Sequence, residues 1–105
     1  MPRAETIFGA LALLRSEKAF AHLGVPLALM NAGRTQEAAH RLEAVQIPPG
    51  EDADMVQAFL GLALQLSGQA AQAMRTLRPL ALLAQHENAS DGARLAARLL
   101  GEPPS

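Results

Sequence analysis

Residues 27–42, LALMNAGRTQEAAHRL, return in pattern as residues 62–77, LALQLSGQAAQAMRTL. Gly33 and Gly68, Ala38 and Ala73, and Leu42 and Leu77 are each 35 positions apart. Self-similarity at a period of 20–50 residues marks stacked supersecondary units, none of which can bury its apolar face alone. A chain built this way presents an interaction surface rather than a catalytic pocket.

The residues between the repeat positions are helix formers. Half of the 105 residues are apolar and only 3% aromatic, so the apolar content is mostly Leu and Ala. The β-branched residues Ile7, Val25, Thr35, Val45, Ile47, Val56 and Thr76 never form an alternating run. The expected fold is all-α: a short stack of antiparallel helical hairpins, about five to seven helices in one domain. The repeat-like units span about residues 19–50 and 54–84, with flanking helices at about 4–18 and 91–100.

Helical spacing of Ile7, Leu11, Leu14, Phe20 and Leu23 predicts a first helical stretch from about Ala4 to Leu23. It is one helix, or two if Ser16 caps a segment starting at Glu17. Gly24 reads as a residue just past a helix end and Pro26 as a first helical residue, placing a break at 24–25 and a short helix over 26–32. Thr35 is the expected N-cap of a helix over about 36–46, with Ala38, Leu42 and Val45 as its apolar stripe. The loop PPGEDAD follows, and Asp52 or Asp54 would cap the next helix, about 53–66, which is apolar around most of its circumference. The return helix covers about 69–77, with Pro79 kinking it or starting a new turn. Ser90 is the expected N-cap of a last helix over about 91–100, and the tail 101–105 is expected to be disordered.

Gly33 and Gly68 hold the tight turn of each hairpin, Ala38 and Ala73 let the paired helices approach, and Leu42 and Leu77 supply the larger contact. Leu60, Gly61 and Leu64 complete the second unit upstream. These residues resemble the tetratricopeptide repeat over about residues 19–84, except that Pro26 stands where that family has a small helical residue. The layout of leading helix, two compact repeats and capping helix is similar to the type III secretion needle-subunit chaperones of the YscG/PscG family. In that family a run like Ala28-Leu29-Met30-Asn31-Ala32 also precedes the turn glycine. The resemblance implies a cytoplasmic chaperone that pairs with a small cochaperone and holds an amphipathic helix of a secreted subunit in its groove. It brings no catalytic residue.

In such a register the groove-facing, partner-binding positions are Phe20, Leu23, Leu27 and Met30 in the first unit, and Met55, Ala58, Leu62 and Leu66 in the second. These side chains are apolar, which suits the buried face of an amphipathic helix rather than a charged peptide tail. The alternative is that they pack on the chain's own flanking helices or on another copy, giving a homodimer or larger helical scaffold.

Other chemistry is sparse. The net charge of −1 leaves no basic footprint for nucleic acid, and with three Phe and neither Tyr nor Trp, stacking on bases is not expected. Arg34, Arg41, Arg75, Arg78, Arg94 and Arg98 are interspersed with acids and Gln, as on solvated helix surfaces. Without cysteine there is no disulfide or thiolate chemistry. The apolar run 7–14 lacks a basic leader and is followed by RSEK, so neither a cleaved signal nor membrane insertion is expected. His22, His40 and His86 fall in no metal-ligand spacing, and Glu51, Asp52 and Asp54 fail the spacing of a calcium loop. Ser16, Ser67 and Ser90 have no general base in a recognisable motif. The expected protein is not an enzyme and carries no cofactor or metal.

Overall fold

The computed structural model describes residues 17–101, with side chains from Leu23 onward. Within them the chain is all-α. Five helices follow one another: α1 Glu17–Asn31, α2 Thr35–Glu43, α3 Glu51–Leu66, α4 Ala70–Leu82 and α5 Asp91–Leu99, with a 3₁₀ turn at Leu83–Gln85 after α4. The expected helix over residues 4–18 and the Ser16 cap lie outside the described residues, as does the tail beyond Gly101.

The sequence repeat is a repeat of backbone geometry. At the end of α1 the Gly33 amide donates to the Met30 carbonyl (3.1 Å) and the Arg34 amide to Leu29 (2.8 Å). At the end of α3, 35 residues on, Gly68 donates to Gln65 (3.1 Å) and Gln69 to Leu64 (2.9 Å). This pair of bonds is the Schellman arrangement, which needs a left-handed residue just past the helix, and Gly33 and Gly68 supply it at φ 82° and 79°. The residues after the glycines match as well: Arg34 lies at φ −94°, ψ 60° and Gln69 at φ −95°, ψ 67°. Such short connections fold α1 back on α2 and α3 back on α4 as antiparallel neighbours.

Packing follows from the pattern of α3. It is apolar on several sides and packs against each of the other four helices. Phe59, Ala58 and Ala63 on it are completely buried. Gly61 gives α4 its closest approach: a Cβ there would lie 2.2 Å from the Leu77 side chain, itself fully buried. The position 35 residues earlier is Pro26, so the two hairpins use different means at the same point of contact.

Several expected boundaries are corrected. No break occurs at 24–25; α1 runs unbroken through Gly24 and Pro26. Gly costs a helix about 1 kcal/mol and Pro about 3, but Leu23, Leu27 and Met30 lie on one buried stripe that an interruption would split. Thr35 does not cap α2 but is its first residue; Arg34 holds the cap position and its guanidinium instead pairs with Glu37. α2 stops at Glu43 rather than Gln46, and residues 45–48 are irregular. Ile47 precedes Pro48, whose ring disfavours helical geometry in the residue before it.

Neither Asp52 nor Asp54 caps α3, because both lie inside its first turn and Gly50 holds the cap position. There the carboxylates of Glu51, Asp52 and Asp54 sit beside the positive end of the helix dipole. α4 continues through Pro79 to Leu82, neither stopping at Leu77 nor starting a new turn. Pro79 is exposed, so the carbonyl it leaves without a helical donor belongs to the solvent side, while buried Leu80, Ala81 and Ala84 hold the last turns on the core.

Ser90 caps α5 as expected, accepting from the Ala93 amide at 3.1 Å. Its hydroxyl also donates to the Asp54 carboxylate at 2.7 Å, which ties the start of α5 to the start of α3.

Candidate functional site

The side chains expected to line an open groove form the interior of the protein instead. Leu23, Leu27, Met30, Met55, Ala58 and Leu62 belong to one core cluster, each no more than 5% exposed. The Phe20 side chain lies outside the described residues. Leu66 is half-buried and reaches the edge of a small polar hollow between the two hairpin turns, with Gly33, Arg34 and Glu37. Six of the eight residues thus gather in one cluster, and packing within the chain uses them. α3 turns one apolar side to α1 and another to α5, so no strip of Met55, Ala58 and Leu62 is left over. A charge at Leu62 would be buried and would report on folding, not on partner binding.

Among the described residues, an apolar concavity opens to solvent where the two hairpins meet. Buried Leu42 and Val56 form its floor, and half-buried Val45, Ile47, Ala53 and Leu60 form its walls. It encloses about 360 Å³. Its construction is local. Because α2 ends early, Val45 and Ile47 leave the helix in irregular backbone and pack sideways on the core. The Pro48-Pro49-Gly50 turn then returns the chain so that Ala53, Val56 and Leu60 on α3 face them. Along one wall the Gln57 amide donates to the Thr76 carbonyl at 2.8 Å, fixing α3 to α4. The Thr76 hydroxyl is used within its own helix, donating to Gln72 at 2.9 Å. Glu43 is the only charged residue of the lining.

Val45 belongs to the expected apolar stripe of α2, but it lies beyond the end of that helix. Ile47 is not among the expected site residues. The available signal was an apolar residue placed immediately before two prolines, where a solvated loop would carry a polar one.

The groove contains no constellation for bond chemistry. Among the described residues no three His, Asp or Glu side chains gather as a metal site, and every buried side-chain nitrogen or oxygen has a hydrogen-bond partner. His40 and His86 are exposed, the first on α2 and the second just after the 3₁₀ turn. No helix among the described residues is long and apolar enough to cross a membrane. What the groove offers is a shallow, mostly apolar recess with Glu43, Gln57 and Thr76 among its lining. Comparison with protein-family models, with curated proteins and with solved structures found no match to this chain.

Proposed function

We propose that this chain is a non-enzymatic protein-binding module that shields the apolar face of a partner's amphipathic helix in the groove between its two hairpins. The single observation that carries the reading is the groove itself: Val45, Ile47 and Leu60 are apolar, only half-buried, and set together over an apolar floor. Its place at the junction of two repeated units is where stacked helical hairpins join their surfaces. The mechanism is stoichiometric. Each Å² of apolar surface covered contributes about 25 cal/mol before the costs of association. A partner helix covered in this way loses the surface that would drive its own premature assembly. The resemblance to the needle-subunit chaperones extends the proposal to a cytoplasmic client of a secretion system, with a small cochaperone as a second partner.

The test is co-expression with the proteins encoded beside this one, followed by purification through a tag on this chain. Ile47→Glu places a carboxylate in the groove wall at a half-buried position, so the circular dichroism of the helices should be unchanged. Recovery of the partner should fall at least about tenfold, as for loss of an apolar anchor at an interface centre. Unchanged recovery with Ile47→Glu would place the partner elsewhere on the molecule.

A further inference from the structure

The 35-residue register shows which surfaces the second hairpin leaves uncovered. Ala39 on α2 is 4% exposed, but its counterpart on α4, Met74, is 43% exposed. Ile47 is half-buried on the core, whereas its counterpart Leu82 is 56% exposed. The first hairpin is followed by the 16-residue α3, but the second is followed only by the 9-residue α5. The outer side of α4 therefore keeps apolar side chains that the same positions of α2 and its loop bury.

These residues share one face. Met74, Arg78 and Leu82 recur at helical intervals of four, and the Arg78 guanidinium lies against the Met74 sulfur at 3.9 Å. Thr76, which lines the groove described above, is about 200° around the helix from Met74, so this surface is separate from that site.

The charge here has one sign. α4 holds Arg75 and Arg78, both exposed, and no acidic residue. Neither arginine is paired with a carboxylate of the described residues, unlike Arg34 on the other hairpin, which pairs with Glu37. Five described acids, Glu37, Glu43, Glu51, Asp52 and Asp54, lie on the first hairpin and the start of α3, and two, Glu87 and Asp91, lie beyond α4, before and at the start of α5.

We propose that the outer face of α4 is a second docking surface, and that it takes an acidic amphipathic helix of a partner protein. The partner's apolar ridge would cover Met74 and Leu82, and its flanking carboxylates would meet Arg75 and Arg78. Unpaired arginines beside exposed apolar side chains give both the sign and the shape of the partner.

Two labelled synthetic helices of about 18 residues, with the same leucine face and either Glu or Lys on the polar face, provide the probe. In fluorescence anisotropy with the full chain at low salt, the Glu helix should bind at least about tenfold more tightly than the Lys helix. The double variant Arg75→Glu/Arg78→Glu should reverse that preference, and Leu82→Gln should weaken binding of both helices. Ile47→Glu, in the groove, should leave the preference for the Glu helix over the Lys helix in place, which separates this surface from the proposed groove function. Absence of binding overturns the proposal, as does a preference that ignores the sign of residues 75 and 78. A Leu82-dependent dimer of the chain alone would also overturn it, in favour of a second copy as occupant.

Discussion

Gly92→Ala should lower the stability of this protein by about 3 kcal/mol, although it adds one methyl group to the first turn of a helix. A Cβ at position 92 would lie 2.4 Å from the carbonyl carbon of Asp54 and 2.5 Å from the amide nitrogen of Met55. Both are backbone atoms, so no side-chain rotation relieves the overlap, and α5 would have to move away from α3. That movement strains the Ser90 hydroxyl's bond to Asp54 and lifts buried Ala93, Leu95 and Ala96 from the core. For a domain of this size the melting temperature should drop by roughly 15 °C. Gly24→Ala is the control: nothing lies within 4 Å of a Cβ there, and the position is inside α1. It should stabilise the protein by about 0.5–1 kcal/mol, the helix preference of Ala over Gly. Thermal denaturation followed by circular dichroism reads both. Equal melting temperatures for the two variants would mean that α5 does not seat on α3 as described.

Phe59→Ala should have the largest effect of any single truncation. Phe59 is the bulkiest fully buried side chain, and it sits on the helix that all the others pack against. Removing an aromatic ring from a close-packed interior costs about 3–5 kcal/mol, through lost burial and the cavity left behind. Domains of this kind hold only about 5–15 kcal/mol in total, so the variant should be substantially unfolded near 37 °C. Phe59→Leu, which keeps most of the volume, should cost about 1 kcal/mol and remain folded. Urea denaturation of the two variants checks the difference. If Phe59→Ala melted cooperatively at the parent midpoint, the core would not be centred on α3.

The parts of this fold visible in the sequence are those set by local chemistry. The turn glycines Gly33 and Gly68, the close-packing Gly61 and the Ser90 cap each depend on one residue type doing something its neighbours cannot. The helix ends that were misread depend on burial that local pattern does not carry. Gly24 and Pro26 look like punctuation, yet the stripe formed by Leu23, Leu27 and Met30 makes a continuous helix the better solution. Pro79 likewise sits in a helix whose inner face, Leu80 and Ala81, is held by the core.

The same limit explains the site. The register implied by the resemblance to the tetratricopeptide repeat sets Leu27, Met30, Met55 and Leu62 on one apolar surface, but it does not decide between a partner and helices of the same chain, which cover it. The open groove arises from Ile47 and Val45 leaving the helix early, a tertiary event that follows from the prolines after them. Exposure on the outer face of α4 is likewise set by tertiary packing, since Met74 and Leu82 are exposed where the equivalent Ala39 is buried and Ile47 half-buried.

Sedimentation velocity of the 11.1 kDa chain, alone and co-purified with the products of adjacent genes, tests the proposed helix-shielding role most directly. The expected result is a heteromeric species holding one copy of this chain and its partner, lost on Ile47→Glu while the helical signal persists. A chain that sediments as a monomer in every combination, or as a homodimer that excludes all partners, would contradict it.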